Sequence, residues 1–268
     1  MLRIALINLM PNKEETIEDF ANLLADSPES FEFVLTKMAT HVTRHCSEEH
    51  MALYRTCEEV CNAHDDGSCV LDACIMTGAP FDWVYFDDVD YWPEECRMMD
   101  WLRDRKVPTT YVCWGQQSAL HHFHGVERHL KYPNKLSGIF VQQIIHPEHP
   151  LFEGITLPLY MPHSRQTEMS NEETDACPDV KVLARAPENG ISIVECRDGL
   201  EFYFSGHFEY NLHTLDNEYH RDTARNLPFN PPANYYENDD PAMPIIDRWS
   251  ANGRRIFANW IRYYVMRR

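Results

Sequence analysis

Thr110-Tyr111-Val112-Cys113-Trp114-Gly115-Gln116-Gln117-Ser118-Ala119-Leu120 changes character at its fourth residue. Up to Val112 it is apolar and β-prone; after Cys113 the residues are small or helix-compatible. This reads as a buried strand, a tight bend at Cys113 and a helix. A thiol at such a bend stands over a helix N-terminus, whose dipole and free N–H groups favour a thiolate and can hold an oxyanion. The plain alternative is a small core residue at a strand end, the usual fate of a free cysteine. The rest of the chain decides between them.

Outward from this stretch, the chain alternates strands and helices. Leu2–Leu9 reads as a strand, Glu14–Leu24 as a helix with Ile17, Phe20, Leu23 and Leu24 on one face, and Phe31–Thr36 as a second strand. A β-α-β opening predicts a parallel sheet. Ser47–Val60 reads as one amphipathic helix with Glu48, Glu49, Glu58 and Glu59 solvated. Cys69–Met76 reads as a buried strand ending in Thr77-Gly78-Ala79-Pro80. A turn there lies at the carboxyl end of a parallel strand, where α/β proteins bind ligands. Tyr91–Asp104 is predicted helical, Val107–Val112 feeds Cys113, and Lys135–Val141 turns from polar to strand-like. Pro162-His163-Ser164-Arg165 reads as a turn. Val180–Ala186, Ile191–Arg197 and Glu201–Ser205 read as a meander, Leu215–Arg225 and Trp249–Val265 as helices, and Asn226–Pro241 as a long ordered loop. No repeat or linker divides the 268 residues, so a single domain over 1–268 is expected.

Composition narrows the function. A net charge of −18 argues against sequence-independent nucleic-acid binding, and an anionic substrate would need a local basic pocket. No apolar run reaches membrane-spanning length, and Met1-Leu2-Arg3-Ile4 enters a strand without a signal peptide. Nine cysteines without a regular framework read as reduced thiols of a cytoplasmic enzyme. The spacings of Cys57, Cys61, Cys69 and Cys74 are not those of a zinc ribbon, and His121, His122 and His124 read as surface or satisfied histidines, so no metal is expected.

A thiol nucleophile needs a base, and the base needs an anion to orient it. Cys113, His207 and Glu209 supply these roles, each just past a predicted strand. This order fits class I glutamine amidotransferases equally well. Nine ordered stretches separate the two readings: Asn8-Leu9-Met10-Pro11, Thr77-Gly78-Ala79-Pro80, Asp90-Tyr91-Trp92, Val112-Cys113-Trp114, Lys135-Leu136-Ser137-Gly138, Pro162-His163-Ser164-Arg165, Gly206-His207-Phe208-Glu209-Tyr210, Tyr219-His220-Arg221-Asp222 and Asn259-Trp260-Ile261-Arg262-Tyr263-Tyr264-Val265. Together they resemble the homoserine O-acyltransferase (transsuccinylase) family over essentially the whole chain. The resemblance implies an α/β, class I glutamine-amidotransferase-like three-layer fold with a mostly parallel sheet. It also implies acyl transfer from acyl-CoA to an amino-acid hydroxyl through an acyl-cysteine, in methionine biosynthesis. Carried over, Cys113 is the nucleophile, His207 the base and Glu209 its orienter; Lys135, Ser164 and Arg221 match amino-acid-binding positions. The bland reading of Arg221 is a surface ion pair with Asp222 or Glu218. The Trp114 N–H and one from the Gly78–Phe81 turn, assigned to Phe81, are the expected oxyanion donors.

In the family, the residue two places after the Thr-Gly-Ala-Pro turn goes with donor choice: Glu with acetyl transfer, Gly with succinyl transfer. Here it is Asp82, which shares the carboxylate of Glu and points to acetyl-CoA. Acyl-CoA is expected as co-substrate, with no permanently bound cofactor. L-homoserine is the expected acceptor, with L-serine the alternative; a succinyl donor and a glutaminase activity are the other readings. A homodimer is left open. Two features depart from the family wording: many relatives carry an added N-terminal segment before the first strand, and Gly115-Gln116-Gln117 and the Cys57–Cys74 stretch are not the commonest forms.

Overall fold

A computed structural model describes residues 1–41, 46–227 and 229–267. The strands are β1 (Leu2–Ile7), β2 (Phe31–Lys37), β3 (Arg55–Thr56), β4 (Ala73–Met76), β5 (Thr109–Val112), β6 (Arg128–Leu130), β7 (Leu136–Ile144), β8 (Leu159–Arg165), β9 (Thr167–Met169), β10 (Val180–Ala186), β11 (Gly190–Cys196) and β12 (Glu201–Phe204). The helices are α1 (Lys13–Leu23), α2 (Glu48–Met51), α3 (Cys57–Asp65), α4 (Trp92–Asp104), α5 (Trp114–His124), α6 (Asn171–Ala176), α7 (Thr214–Ala224) and α8 (Ser250–Trp260), the last continued by a π-helical segment, Ile261–Val265.

Ten strands form one sheet in the order β3-β2-β1-β4-β5-β12-β11-β10-β7-β8. From β3 to β12 neighbouring strands are parallel; from β12 to β8 they are antiparallel. The parallel β-α-β opening and the antiparallel meander are therefore both present. Strand β1 shows why the sheet is covered on both faces. Ala5 and Ile7 point into a core shared with α3, α4 and α5, whereas Ile4 and Leu6 point into one shared with α1 and α8. The result is the expected three layers. It puts the carboxyl ends of β1, β4, β5 and β12 on one edge, with Asn8, Thr77, Cys113 and the segment leading to His207 just beyond them.

Two local expectations are corrected. Ser47–Val60 is not one helix: α2 stops at Met51, β3 adds an edge strand beside β2, and α3 begins at Cys57. The break is set by Thr56, whose hydroxyl accepts from the Glu59 N–H while the Glu59 carboxylate accepts from the Thr56 N–H. Glu59 is thus a capping residue rather than only a solvated one. Likewise, Pro162–Arg165 is not a turn but the end of β8, paired antiparallel with β7 from Leu136↔Arg165 to Gln142↔Leu159. A proline is tolerated because β8 is the edge strand. Its free carbonyl has a use: Pro162 O accepts from the His207 N–H at 2.9 Å.

Candidate active site

The bend after β5 places Cys113 at φ 51°, ψ −107°, outside the regions a non-glycine residue normally occupies. Three constraints hold it there. The Cys113 N–H donates to Phe204 O of β12 at 2.8 Å. Its carbonyl accepts from the Gln117 N–H at 3.0 Å, starting α5. Gly115 lets the helix close on the sheet: a Cβ there would sit 2.9 Å from Met76 O and 3.2 Å from Thr77 O. The Trp114 N–H belongs to the first helical turn, which has no intrahelical acceptor.

His207 arrives from the neighbouring strand. After β12 the chain turns, and buried Arg165 grips the turn, donating to Ser205 O and Asn189 O at 2.8 Å each. The His207 ring stacks on Tyr210 with centroids 4.1 Å apart and 12° between planes. Its Nδ1 lies 2.6 Å from Glu209 Oε1, which accepts the ring proton. Burial alone would depress the imidazole pKa, but the Cys113 thiolate, the Glu209 carboxylate and hydrogen bonds to both outweigh it and push it up to about 10. Cys113 and His207 therefore interact directly, as a candidate nucleophile and base. By contrast, burial pushes the Cys57, Cys61, Cys74, Cys96 and Cys196 thiols up, which suits inert packing residues.

Gly78 separates the pair from the β4 turn. A Cβ at Gly78 would come within 3.3 Å of both Cys113 Cβ and His207 Cε1, and 3.8 Å of Cys113 Sγ. Gly78→Ala should push nucleophile and base apart by a few tenths of an ångström. A rate loss of about tenfold is expected, since errors of ~1 Å cost about 100-fold. Single-turnover acyl transfer in the variant is the measurement, and an unchanged rate would show that the pair tolerates the methyl group.

Cys113, Trp114, His207, Phe81, Asp82, Lys135, Ser164 and Arg221 all line one cavity of about 820 Å³. Glu209 does not: it is buried behind His207 and faces a separate cavity of about 500 Å³. The Phe81 N–H is engaged in its own turn, donating to Ala79 O at 2.9 Å. Arg128 fixes this loop by donating to Phe81 O at 3.0 Å and to Val84 O, its guanidinium 4.6 Å from the Phe86 ring. Asp82 Oδ1 accepts from the Gln166 N–H at 3.0 Å and the Thr167 hydroxyl at 3.2 Å, which holds the carboxylate on the cavity wall.

On the same cavity, α7 contributes two carboxylates, Glu218 and Asp222. Glu218 Oε2 accepts from Lys135 Nζ at 2.6 Å and from the Ser164 hydroxyl. Asp222 accepts from Lys135 at 3.2 Å and from Arg221 at 2.9 Å. The bland reading of Arg221 as a partner of Asp222 is therefore correct, and the pair lies on the cavity. Glu218 was legible: at i, i+3 and i, i+4 it shares a helix face with Arg221 and Asp222. His121, His122 and His124 each have partners: Val126 O at 3.1 Å, Asp100 at 2.8 Å and Cys196 Sγ at 3.9 Å.

The whole chain, residues 1–268, matches the family model described as homoserine O-succinyltransferase. The chain belongs to this family. Among relatives, it is 39% identical to a homoserine O-acetyltransferase of Brevibacillus brevis over 98% of this chain and 84% of the relative. It is 40% identical to one of Cereibacter sphaeroides over 97% and 83%. Among solved structures it is similar in fold to a glutamine amidotransferase from Thermotoga maritima (TM-score 0.65, 10% identity, 99% and 98% covered) and one from Methylobacillus flagellatus (TM-score 0.59, 15% identity, 97% and 94% covered). The fold expectation stands. Membership makes the protein a homoserine O-acyltransferase, which implies acyl-CoA as co-substrate. Among the described residues, no helix is long and apolar enough to cross a membrane.

Proposed function

We propose that this acyltransferase, a single domain over 1–268, transfers an acetyl group from acetyl-CoA to L-homoserine by a ping-pong route through Cys113. The observation that carries the reading is the Cys113–His207–Glu209 arrangement on the wall of a cavity shared with Lys135, Ser164 and Arg221. The Cys113 thiolate attacks the thioester carbonyl. The Trp114 N–H receives the oxyanion, and with the Phe81 N–H engaged, the Gly78 and Ala79 amides are the remaining donors of the turn. Collapse forms acyl-Cys113, and CoA leaves as the thiol with the imidazolium proton. Neutral His207 then takes the hydroxyl proton of the acceptor, whose oxygen attacks acyl-Cys113. Thiolate and imidazolium are thereby regenerated.

The acceptor is a zwitterion and needs both signs of charge. Arg221 suits its carboxylate, bidentately. Glu218, held by Lys135 and Ser164, is the anion for its ammonium. Homoserine and serine differ by one methylene, worth only ~1–3 kcal/mol in a pocket. A thiol-release assay with acetyl-CoA or succinyl-CoA against homoserine and serine tests the reading; release with serine alone, or none with either acceptor, overturns it.

Donor choice follows from Asp82. A succinyl carboxylate reaching its neighbourhood would meet a like charge; at about 5 Å and an effective dielectric of ~20 the repulsion is roughly 3 kcal/mol. The acetyl group carries no such charge. Wild type should prefer acetyl-CoA by about tenfold or more in kcat/KM, and Asp82→Gly should shrink that ratio. A preference for succinyl-CoA, or a ratio unmoved by the substitution, would remove Asp82 from donor selection.

A further inference from the structure

Every residue from Phe81 to Val84, in the connection from β4 to α4, is gripped by one small element. Strands β6 and β9 form a separate two-stranded sheet, paired from Arg128↔Met169 to Leu130↔Thr167. From β6, Arg128 donates to Phe81 O at 3.0 Å and to Val84 O. Just before β9, the Gln166 N–H donates to Asp82 Oδ1 at 3.0 Å, and Gln166 Oε1 accepts from the Trp83 indole N–H at 3.1 Å. From β9 itself, the Thr167 hydroxyl lies 3.2 Å from Asp82 Oδ1. Gln166 and Thr167 are 5% and 3% exposed, so these anchors are shielded from competing water. A loop that carries function is positioned by such a scaffold.

The neighbours of Thr167 fix the direction of its hydrogen bond. Buried Gln117, near the start of α5, presents Nε2 to Thr167 Oγ1 at 3.1 Å and Oε1 at 3.2 Å. A hydroxyl has one proton to give and lone pairs with which to accept. The Asp82 carboxylate is a stronger acceptor than an amide oxygen. The hydroxyl proton therefore goes to Asp82, and the Gln117 amide donates into the hydroxyl. This relay joins the helix that starts behind Cys113 to the loop that carries Asp82. Both hydrogen bonds fall on Oδ1, which leaves Oδ2 without one among the described residues.

We propose that Thr167 is a positioning residue for the choice of acyl donor: its hydroxyl, oriented by Gln117, holds the Asp82 carboxylate in place at the cavity wall. The proposal rests on the reading of Asp82 as the donor selector. Repulsion of a terminal carboxylate falls with separation and with water admitted between the charges, so it needs the Asp82 charge held still. Without the Thr167 hydroxyl, only the Gln166 N–H remains on Oδ1, and the carboxylate can swing away from an incoming succinyl group. Discrimination by an unfavourable contact is lost when the contact can be evaded. The acetyl group carries no charge and gains little from the change.

The test is the ratio of kcat/KM for acetyl-CoA to kcat/KM for succinyl-CoA, in the full chain. Thr167→Val keeps the branched shape and removes the hydroxyl; it should shrink the ratio about fivefold, the effect of one hydrogen bond to a charged group. Thr167→Ser keeps the hydroxyl and should restore the ratio. In the Asp82→Gly background, Thr167→Val should move the ratio no further, because Thr167 acts through Asp82. General damage to the fold lowers both efficiencies alike and leaves the ratio where it was. If Thr167→Val does not fold, Thr167→Ala takes its place. A ratio that responds to Asp82→Gly but not to Thr167→Val overturns this proposal alone, as does a Thr167→Val effect that persists without Asp82. A ratio that responds to neither overturns the Asp82 reading with it.

Discussion

Cys113→Ala should abolish turnover, with a loss of about 10⁴-fold or more in kcat, because Cys113 is the one thiol among the described residues lining the cavity. Cys57, Cys74 and Cys196 are buried in the core on the other face of the sheet, with their thiols pushed up by burial. The sharper measurement is the intact mass after incubation with acetyl-CoA alone. Wild type should gain one acetyl group, labile to hydroxylamine, and Cys113→Ala should gain none. A wild type that stays unmodified while turning over with homoserine would exclude the ping-pong route in favour of direct transfer. The strained backbone at Cys113 adds a second expectation. Since the φ of 51° is held by Phe204 O and by the packing of Gly115, Cys113→Gly should fold at least as well as wild type.

Glu209→Gln comes next in size, with an expected fall of about 10³–10⁴-fold in kcat by the logic of a triad whose orienting anion is removed. An amide in place of the carboxylate can present its NH₂ to Nδ1, turning the imidazole to the wrong tautomer. It also removes one of the groups that hold His207 protonated. The sign of the pH effect follows. The wild-type imidazolium persists up to about pH 10, because the Cys113 thiolate and Glu209 outweigh burial. Without Glu209 the proton leaves His207 at lower pH. Iodoacetamide alkylation of Cys113 should therefore depart from wild type more at pH 9, where only the wild type keeps its imidazolium, than at pH 6. An unchanged alkylation profile together with lost kcat would show that Glu209 orients the ring without stabilising its charge.

These expectations draw unequally on sequence and structure. Cys113 could be placed from the chain alone because a β-prone run meeting helix-compatible residues at one position leaves only a tight bend between them. His207 and Glu209 could be paired because two residues' separation past a strand keeps both side chains near its end. The β-α-β opening and the antiparallel meander followed from periodicity, which reports burial on one face or two. Motif order then carried the family. What local pattern could not show was where strands sit in the sheet. Pro162–Arg165 looked like a turn because proline removes a donor, and only the edge position of β8 makes that harmless. The helix expected over Ser47–Val60 was broken by a capping box that competes with an otherwise helical pattern.

The cavity itself is wholly tertiary. Lys135 opens β7, Ser164 lies near the end of β8 and Glu218 is on α7, and their hydrogen bonds span 54 and 83 residues of chain. The partnership of Arg165 with Ser205 and Asn189, and that of Asp82 with Gln166 and Thr167, are likewise invisible to any local pattern. Residue type and spacing set which groups could do chemistry here. Only packing set which charges meet, which are neutralised and which remain free for substrate, because electrostatic energy depends on separation and burial in space.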